Sequence, residues 1–422
     1  MLKRFKTDFI SSIFTLVSGT MIAQVVTYLL QPIISRLYAP EDMAYLSLFA
    51  RIVAFTAVIA TLRYELAFPL PKREEHAFTI YRISFKSTIL VSIVSLLLVT
   101  ILFFTIEFDK QTKTILFFLP FGIFFTSMNS QGVNWSIRTK SYKKISLAKV
   151  FQSLFNAGTA TLLGLINFGY LGLIIGYILG VIGGSFLFIK SFFVTKRSMN
   201  TFKLRGRKFV VAKAYKEFPI VNLPHVIIDL SKELFIAFYL IYTFEKEVLG
   251  LYDFSFRMLK MPIGIIGVSI NQVFYKKSAD LLNEGKSIYP LVKKTLFYLT
   301  LISIVPFLSL LFFGSSIFSF VFGEKWQQAG FYSQIMSLWL MSNFIVSSIS
   351  QVPILLKKQK QFFMLSLFGT SLLIFSMLLG EFFTYFEGNF PRILLFVSIG
   401  QFLFMTYTIF WTLYLAKKYS ND

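Results

Sequence analysis

The chain has 422 residues, of which 55% are hydrophobic and only 15% charged, and its mean hydropathy is +0.68. A soluble globule has no way to bury that much apolar surface, so the composition points to an all-α polytopic membrane protein. The formal charge is +22, cysteine is absent and His76 and His225 are the only histidines, which excludes disulfides, thiolate chemistry and a histidine metal cluster.

Twelve apolar spans are expected, near 9–31, 43–68, 82–105, 114–136, 145–167, 170–193, 218–243, 248–274, 295–320, 329–355, 361–385 and 391–416. Each is near the roughly 20 residues that a bilayer requires. The start, MLKRFKTDFI, is basic like a signal peptide. The apolar run after it is too long for one and lacks a small-x-small cleavage pattern, so it is expected to stay as the first span. Span one carries Thr20, Gln24, Thr27 and Gln31 at helical spacing. Span two carries Ser47, Arg51, Ala54, Thr61 and Glu65 on one face, and Arg63 near its inner end is expected to reach the headgroups or to pair with Glu65. Span four ends in Asn129, Gln131, Asn134 and Arg138. Spans five and six meet in a tight turn at 167–170. Spans three, six, eleven and twelve are mostly Leu, Ile, Phe and Val and read as lipid-facing.

A basic connection, 196–217, separates the halves, giving an N-terminal six-helix lobe (1–193), a cytoplasmic linker (194–217) and a C-terminal six-helix lobe (218–422). Pro219 and Pro224 are expected to bend the start of span seven. Spans seven and eight then hold the densest charge. Asn222, His225, Asp229 and Lys232 share one helical face, with Glu233 beside them. Asp253, Arg257 and Lys260, followed by Gly264, Gly267 and Asn271, share another. Six charges facing lipid would cost on the order of 15–20 kcal/mol, so the expected arrangement turns both stripes toward each other or toward a water-filled cavity inside the bundle. Span ten adds Asn343 and Gln351. At an offset of 206, MAYLSLFARIV lies over LGLYDFSFRML and superposes Arg51 on Arg257, a faint internal repeat of the kind transporters carry.

With the N-terminus inside, 31 of the 42 Lys and Arg fall in cytoplasmic segments and six in outer loops. That bias places both termini in the cytoplasm and accounts for most of the charge without nucleic acid. No GxxxxGK[ST], GxSxG or HExxH is present and the outer loops are short, so no cofactor and no catalytic function is expected.

Two segments, SGTMIAQVVTYLLQPIISRLYAPEDMAYLSLFARIV (18–53) and ATLRYELAFPLPKREEHA (60–77), resemble the N-terminal signature of the Wzx-like oligosaccharide flippases. These are polysaccharide biosynthesis proteins of the multidrug/oligosaccharidyl-lipid/polysaccharide exporter superfamily. Residues 248–286 are similar to that family's span-eight signature, whereas Met43 and the charge density of 229–233 depart from it. The resemblance implies twelve helices in two lobes in the bacterial inner membrane. They would pass undecaprenyl-pyrophosphate-linked oligosaccharide outward by alternating access, for O-antigen, capsule or exopolysaccharide. Membrane lipids and other polysaccharide assembly proteins are its further implied partners. On that reading Arg51, Arg257, Lys260 and Lys232, with Gln24 and Asn222, are the candidates for the diphosphate and sugar. Asp229, Asp253 and Glu65 are the candidates for ion or proton coupling. A cation-coupled multidrug exporter on the same scaffold is the alternative. The five basic residues within spans offset the carboxylates and favour an anionic cargo.

Overall fold

A segment surrounded by lipid must satisfy its own backbone hydrogen bonds, and long apolar runs without strand-like alternation do so as helices. The computed structural model describes residues 2–199, 208–262, 267–382 and 389–419, and the side chains of 18–188, 209–261 and most later positions. Among the described residues every regular element is helical.

In chain order these are α1 (Leu2–Leu37), α2 (Pro40–Thr61), a 3-10 turn (Tyr64–Ala67), α3 (Glu74–Thr105), α4 (Lys110–Arg138), α5 (Tyr142–Leu165), α6 (Tyr170–Met199) and the short α7 (Lys208–Ala214). A π-helical turn (Phe218–Asn222) leads into α8 (Leu223–Thr243), followed by α9 (Lys246–Pro262), α10 (Val268–Asn283) and α11 (Tyr289–Phe322). The last are α12 (Gln327–Ile349), the short α13 (Val352–Leu355), α14 (Gln359–Phe382) and α15 (Phe390–Tyr419). Most expected spans fall on one of these helices or on a helix with its adjoining turn, whereas spans eight and ten each cover two described helices. Seven described segments are, on their own, long and apolar enough to cross a membrane. The chain is a multi-pass membrane protein.

Contacts divide it into two compact units, Met1–Phe238 and Tyr239–Asp422, so α8 runs through the division. Residues 200–207 of the basic connection and Gly264 lie outside the described residues.

In the first unit α1 lies along α5, α5 along α6, and α2 packs on α3, α4 and α6. Tyr45, Phe49 and Val53 of α2 meet Ile115, Leu119 and Ile123 of α4 and Ile174 and Ile178 of α6. The α2 end is held from two sides. Ser84 donates to the Thr61 carbonyl at 3.1 Å, Thr88 to Ala60 at 3.4 Å and Ser127 to Ala57 at 3.4 Å. Span six, expected to face lipid, is instead packed between α4 and α5. Its Gly176, Gly180 and Gly184 bring it against the α5 backbone, the close approach small residues permit in membranes.

One span is broken where the sequence suggested continuity. Span two stops as a helix at Thr61, because Leu62 and Arg63 take left-handed φ values of 53° and 56° before the 3-10 turn. Span eight is described as α9 and α10, and residues 263–266 between them lie outside the described residues. The loop after α2 is tucked under an aromatic cluster of Tyr64, Phe68, Phe78, Tyr81 and Trp135, joined by Val211 of α7. Arg138 pins that loop, donating to the Phe68 and Pro71 carbonyls and pairing with Glu74 at 2.8 Å.

In the second unit α9 packs on α12, α11 along α12, α12 on α15 and α14 on α15. Phe254 stacks on Trp326 at 4.0 Å, and Ser255 donates to the Ala329 carbonyl at 2.6 Å. The pairings of second span on fourth and fourth on sixth therefore occur in both units.

Candidate substrate-binding site

Arg51 lies midway along α2, one turn beyond Ser47, whose Oγ accepts from its Nε at 3.2 Å. Its Nη1 donates to Glu233 Oε2 at 2.8 Å and to the Glu233 carbonyl. The arginine side chain is 14% exposed and the glutamate 33%, so the carboxylate keeps an open side while the guanidinium is shielded.

A second contact lies lower on the same two segments. The left-handed turn at Arg63 aims its Nε at Asn222 Oδ1, 2.9 Å away in the π-helical turn, and its Nη1 at Glu65 Oε1, 3.3 Å away. Pro224 has no N–H to give the Ile220 carbonyl, which fits a widened turn at this point. Glu65 is 1% exposed, and its Oε2 has no hydrogen-bond partner among the described residues. Counting along the helices, the two contacts are roughly 16 Å apart and run antiparallel. Between them α2 and α8 show no extended packing among the described residues; long side chains bridge them. Asp229 is exposed one turn from Glu233, and Lys232 is half-buried beside it.

On α9, Asp253 is half-buried while Arg257 and Lys260 are exposed. Arg257 Cζ lies 5.7 Å from the centre of the Phe254 ring and Lys260 Nζ 4.2 Å from that of Phe256. Phe254 is itself held by Trp326, Phe318 and Phe322, and Phe256 lies against Tyr252 and Trp339, so each cation rests on a packed ring. Asn271, from the same sequence stripe, does different work. Its amide donates to the Ser347 and Ser348 carbonyls at 3.0 and 3.3 Å and so caps the end of α12.

The stripe on span one is turned toward α5. Thr20 accepts from Lys149 Nζ at 3.0 Å, and Thr27 Oγ1 lies 2.7 Å from Ser153 Oγ. Gln24, between them on α1, is half-exposed at the same seam. Span four's polar groups also join helices: Asn129 donates to Gln152 at 2.9 Å and Gln131 to Thr88 at 2.7 Å. Helical spacing told which residues share a face, not which neighbour the face meets. Glu233 and Lys149 received no role from the sequence. For Lys149 the missed signal was its position seven residues inside α5, too deep for the loop to which it was counted.

The model of a family described as polysaccharide biosynthesis protein matches residues 33–330. No curated protein matches the sequence. Among solved structures, the chain is similar to the lipid II flippase MurJ in an inward closed conformation, with TM-score 0.64 and 14% identity, covering 94% of this chain and 86% of that one. It is similar to an inward-facing multidrug resistance transporter of the MATE family in the MOP superfamily, with TM-score 0.57 and 13% identity over 96% and 99% of the two chains. It is also similar to the Vibrio cholerae MATE transporter VcmN in its bent form, with TM-score 0.53 and 12% identity over 98% and 99% of the two chains. These likenesses establish the shared fold.

Proposed function

This chain belongs to the polysaccharide biosynthesis protein family, and on that premise we propose that it is a flippase for lipid-linked oligosaccharide. Its cargo is an undecaprenyl-pyrophosphate-linked repeat unit, carried from the cytoplasmic to the periplasmic leaflet of a bacterial inner membrane. The repeat unit serves surface polysaccharide such as O-antigen or capsule. Both termini are cytoplasmic in this reading.

The observation that carries it is the exposure of Arg257 and Lys260 on the membrane helix α9. Exposed cations on a span can take an anionic ligand in addition to the contacts they already make, and a diphosphate is such an anion. Arg51 is the corresponding residue of the first half. Its partner Glu233 is the group a diphosphate displaces, because a carboxylate and a phosphate compete for the same guanidinium fork. Lys232 stands next to that exchange, and Asn222 holds Arg63 in place below it. Asp229, Asp253 and Glu65 are the carboxylates from which coupling is drawn. The MurJ neighbour, a lipid II flippase, supports a lipid-linked pyrophosphate as the cargo class.

The test is an Arg51→Ala, Arg257→Ala double variant in a cell whose surface polysaccharide depends on this gene. Normal insertion with lost polysaccharide is expected; retained polysaccharide removes both arginines from the mechanism. Export of cationic dyes by reconstituted protein, with no movement of lipid-linked oligosaccharide, would instead favour the multidrug exporter.

A further inference from the structure

We propose that Lys149, with Thr20 and Gln24, forms a seat for the pyrophosphate of the lipid-linked cargo on the seam between α1 and α5. The inference rests on the flippase reading and adds a site outside the arginine pairs just described.

Lys149 differs from Arg51 in what holds it. Its ammonium donates to one neutral oxygen, Thr20 Oγ1 at 3.0 Å, and no carboxylate lies within ion-pair distance among the described residues. An ammonium has three donors, so two remain for a ligand. The side chain is half-buried, and α1 and α5 are in tight contact beside it. A Cβ at Gly19 would overlap Ser146, and Ser153 donates to the Ala23 carbonyl at 2.7 Å. A cation so shielded and so weakly compensated is costly unless an anion completes it. Gln24, one turn from Thr20, adds a half-exposed amide.

The surroundings fit an amphipathic anion. Lys149 is the eighth residue of α5, about 10 Å in from its start. With the termini cytoplasmic, that is near the inner headgroups, where the cargo is loaded. Deeper along the two helices Ile22 and Val25 of α1 and Phe151, Leu154 and Phe155 of α5 are all 40% or more exposed. By helical spacing these side chains sit on the faces of α1 and α5 turned away from Thr20 and Lys149, against the acyl chains, so a polyprenyl tail can stay in lipid while its pyrophosphate meets Lys149.

The full-length protein in phosphatidylcholine nanodiscs is titrated with undecaprenyl pyrophosphate, undecaprenol and phosphatidylglycerol. K149Q should weaken undecaprenyl pyrophosphate binding about tenfold, and K149R should recover most of it, while undecaprenol is unaffected. Unchanged pyrophosphate binding by a folded K149Q overturns the seat and leaves the flippase reading standing. A K149Q defect confined to phosphatidylglycerol also overturns it, making the site one for resident lipid. Failure of the wild-type protein to bind undecaprenyl pyrophosphate sinks the flippase reading instead. Should K149Q not fold, Q24L carries the test: a drop of about threefold is expected, and no drop overturns the proposal.

Discussion

Arg51 and Glu233 are 182 positions apart in the sequence and joined by a 2.8 Å ion pair. The pair ties the middle of α2 to the middle of α8. Either residue alone is expensive to remove, because its partner is left partly shielded and uncompensated. Arg51→Ala and Glu233→Ala should each lower stability, and the double variant should lose less than the sum. Thermal unfolding of the four proteins in detergent should give a coupling of about 1–2 kcal/mol. Additive losses would mean the pair is not formed.

Arg257 and Lys260 should behave differently. Both are exposed, and a ring beneath an exposed cation contributes only about 0.5–1 kcal/mol. Arg257→Ala and Lys260→Ala should lower the unfolding temperature less than Arg51→Ala does, while flipping of lipid-linked oligosaccharide in proteoliposomes falls sharply. A large stability loss would recast these residues as structural.

Asn222→Ala removes one acceptor from Arg63 and leaves it Glu65. A cost of about 1 kcal/mol is expected. It should appear as faster amide exchange in 208–222, the stretch that includes α7 and the π-helical turn, while α2 exchanges as before.

Gly330 and Gly314 give a packing test in the second unit. A Cβ on Gly330 would come 2.6 Å from the Ser315 Cα, and backbone cannot step aside. Gly330→Ala should separate α11 from α12 at a cost of about 1–3 kcal/mol. Gly158→Ala meets nothing within 4 Å and should be neutral or slightly stabilising. Unfolding temperatures of the two variants check both expectations.

The helices and their order were legible because hydropathy and loop charge report directly on the membrane. The most specific sequence motifs turn out to be architectural. In RLYAPED, Tyr38 donates to the Ala160 carbonyl at 2.6 Å, and Asp42 accepts the Ala39 N–H at 2.9 Å where α2 begins. In RYELA, Arg63 takes the left-handed turn and Tyr64 donates to Ala212 at 3.3 Å. Partners were not legible. Nothing in the periodicity of α1 tells Thr20 and Thr27 to face α5, and nothing local marks Glu233 rather than Asp229 as the one that meets Arg51. Such choices are made by close packing at small residues, Gly19 against Ser146 for example, far away in sequence.

The three hydroxyls that grip the end of α2 have one more effect. With Ser84, Thr88 and Ser127 fastening its last carbonyls to α3 and α4, α2 is the fixed jaw of a clasp. On the proposed reading the jaw that releases Arg51 would be the first turns of α8, next to the widened turn between Pro219 and Pro224, because its far end is held where Tyr239 donates to the Met377 carbonyl. Unlatching Arg51 would then flex that root, and stiffening it should jam the clasp shut.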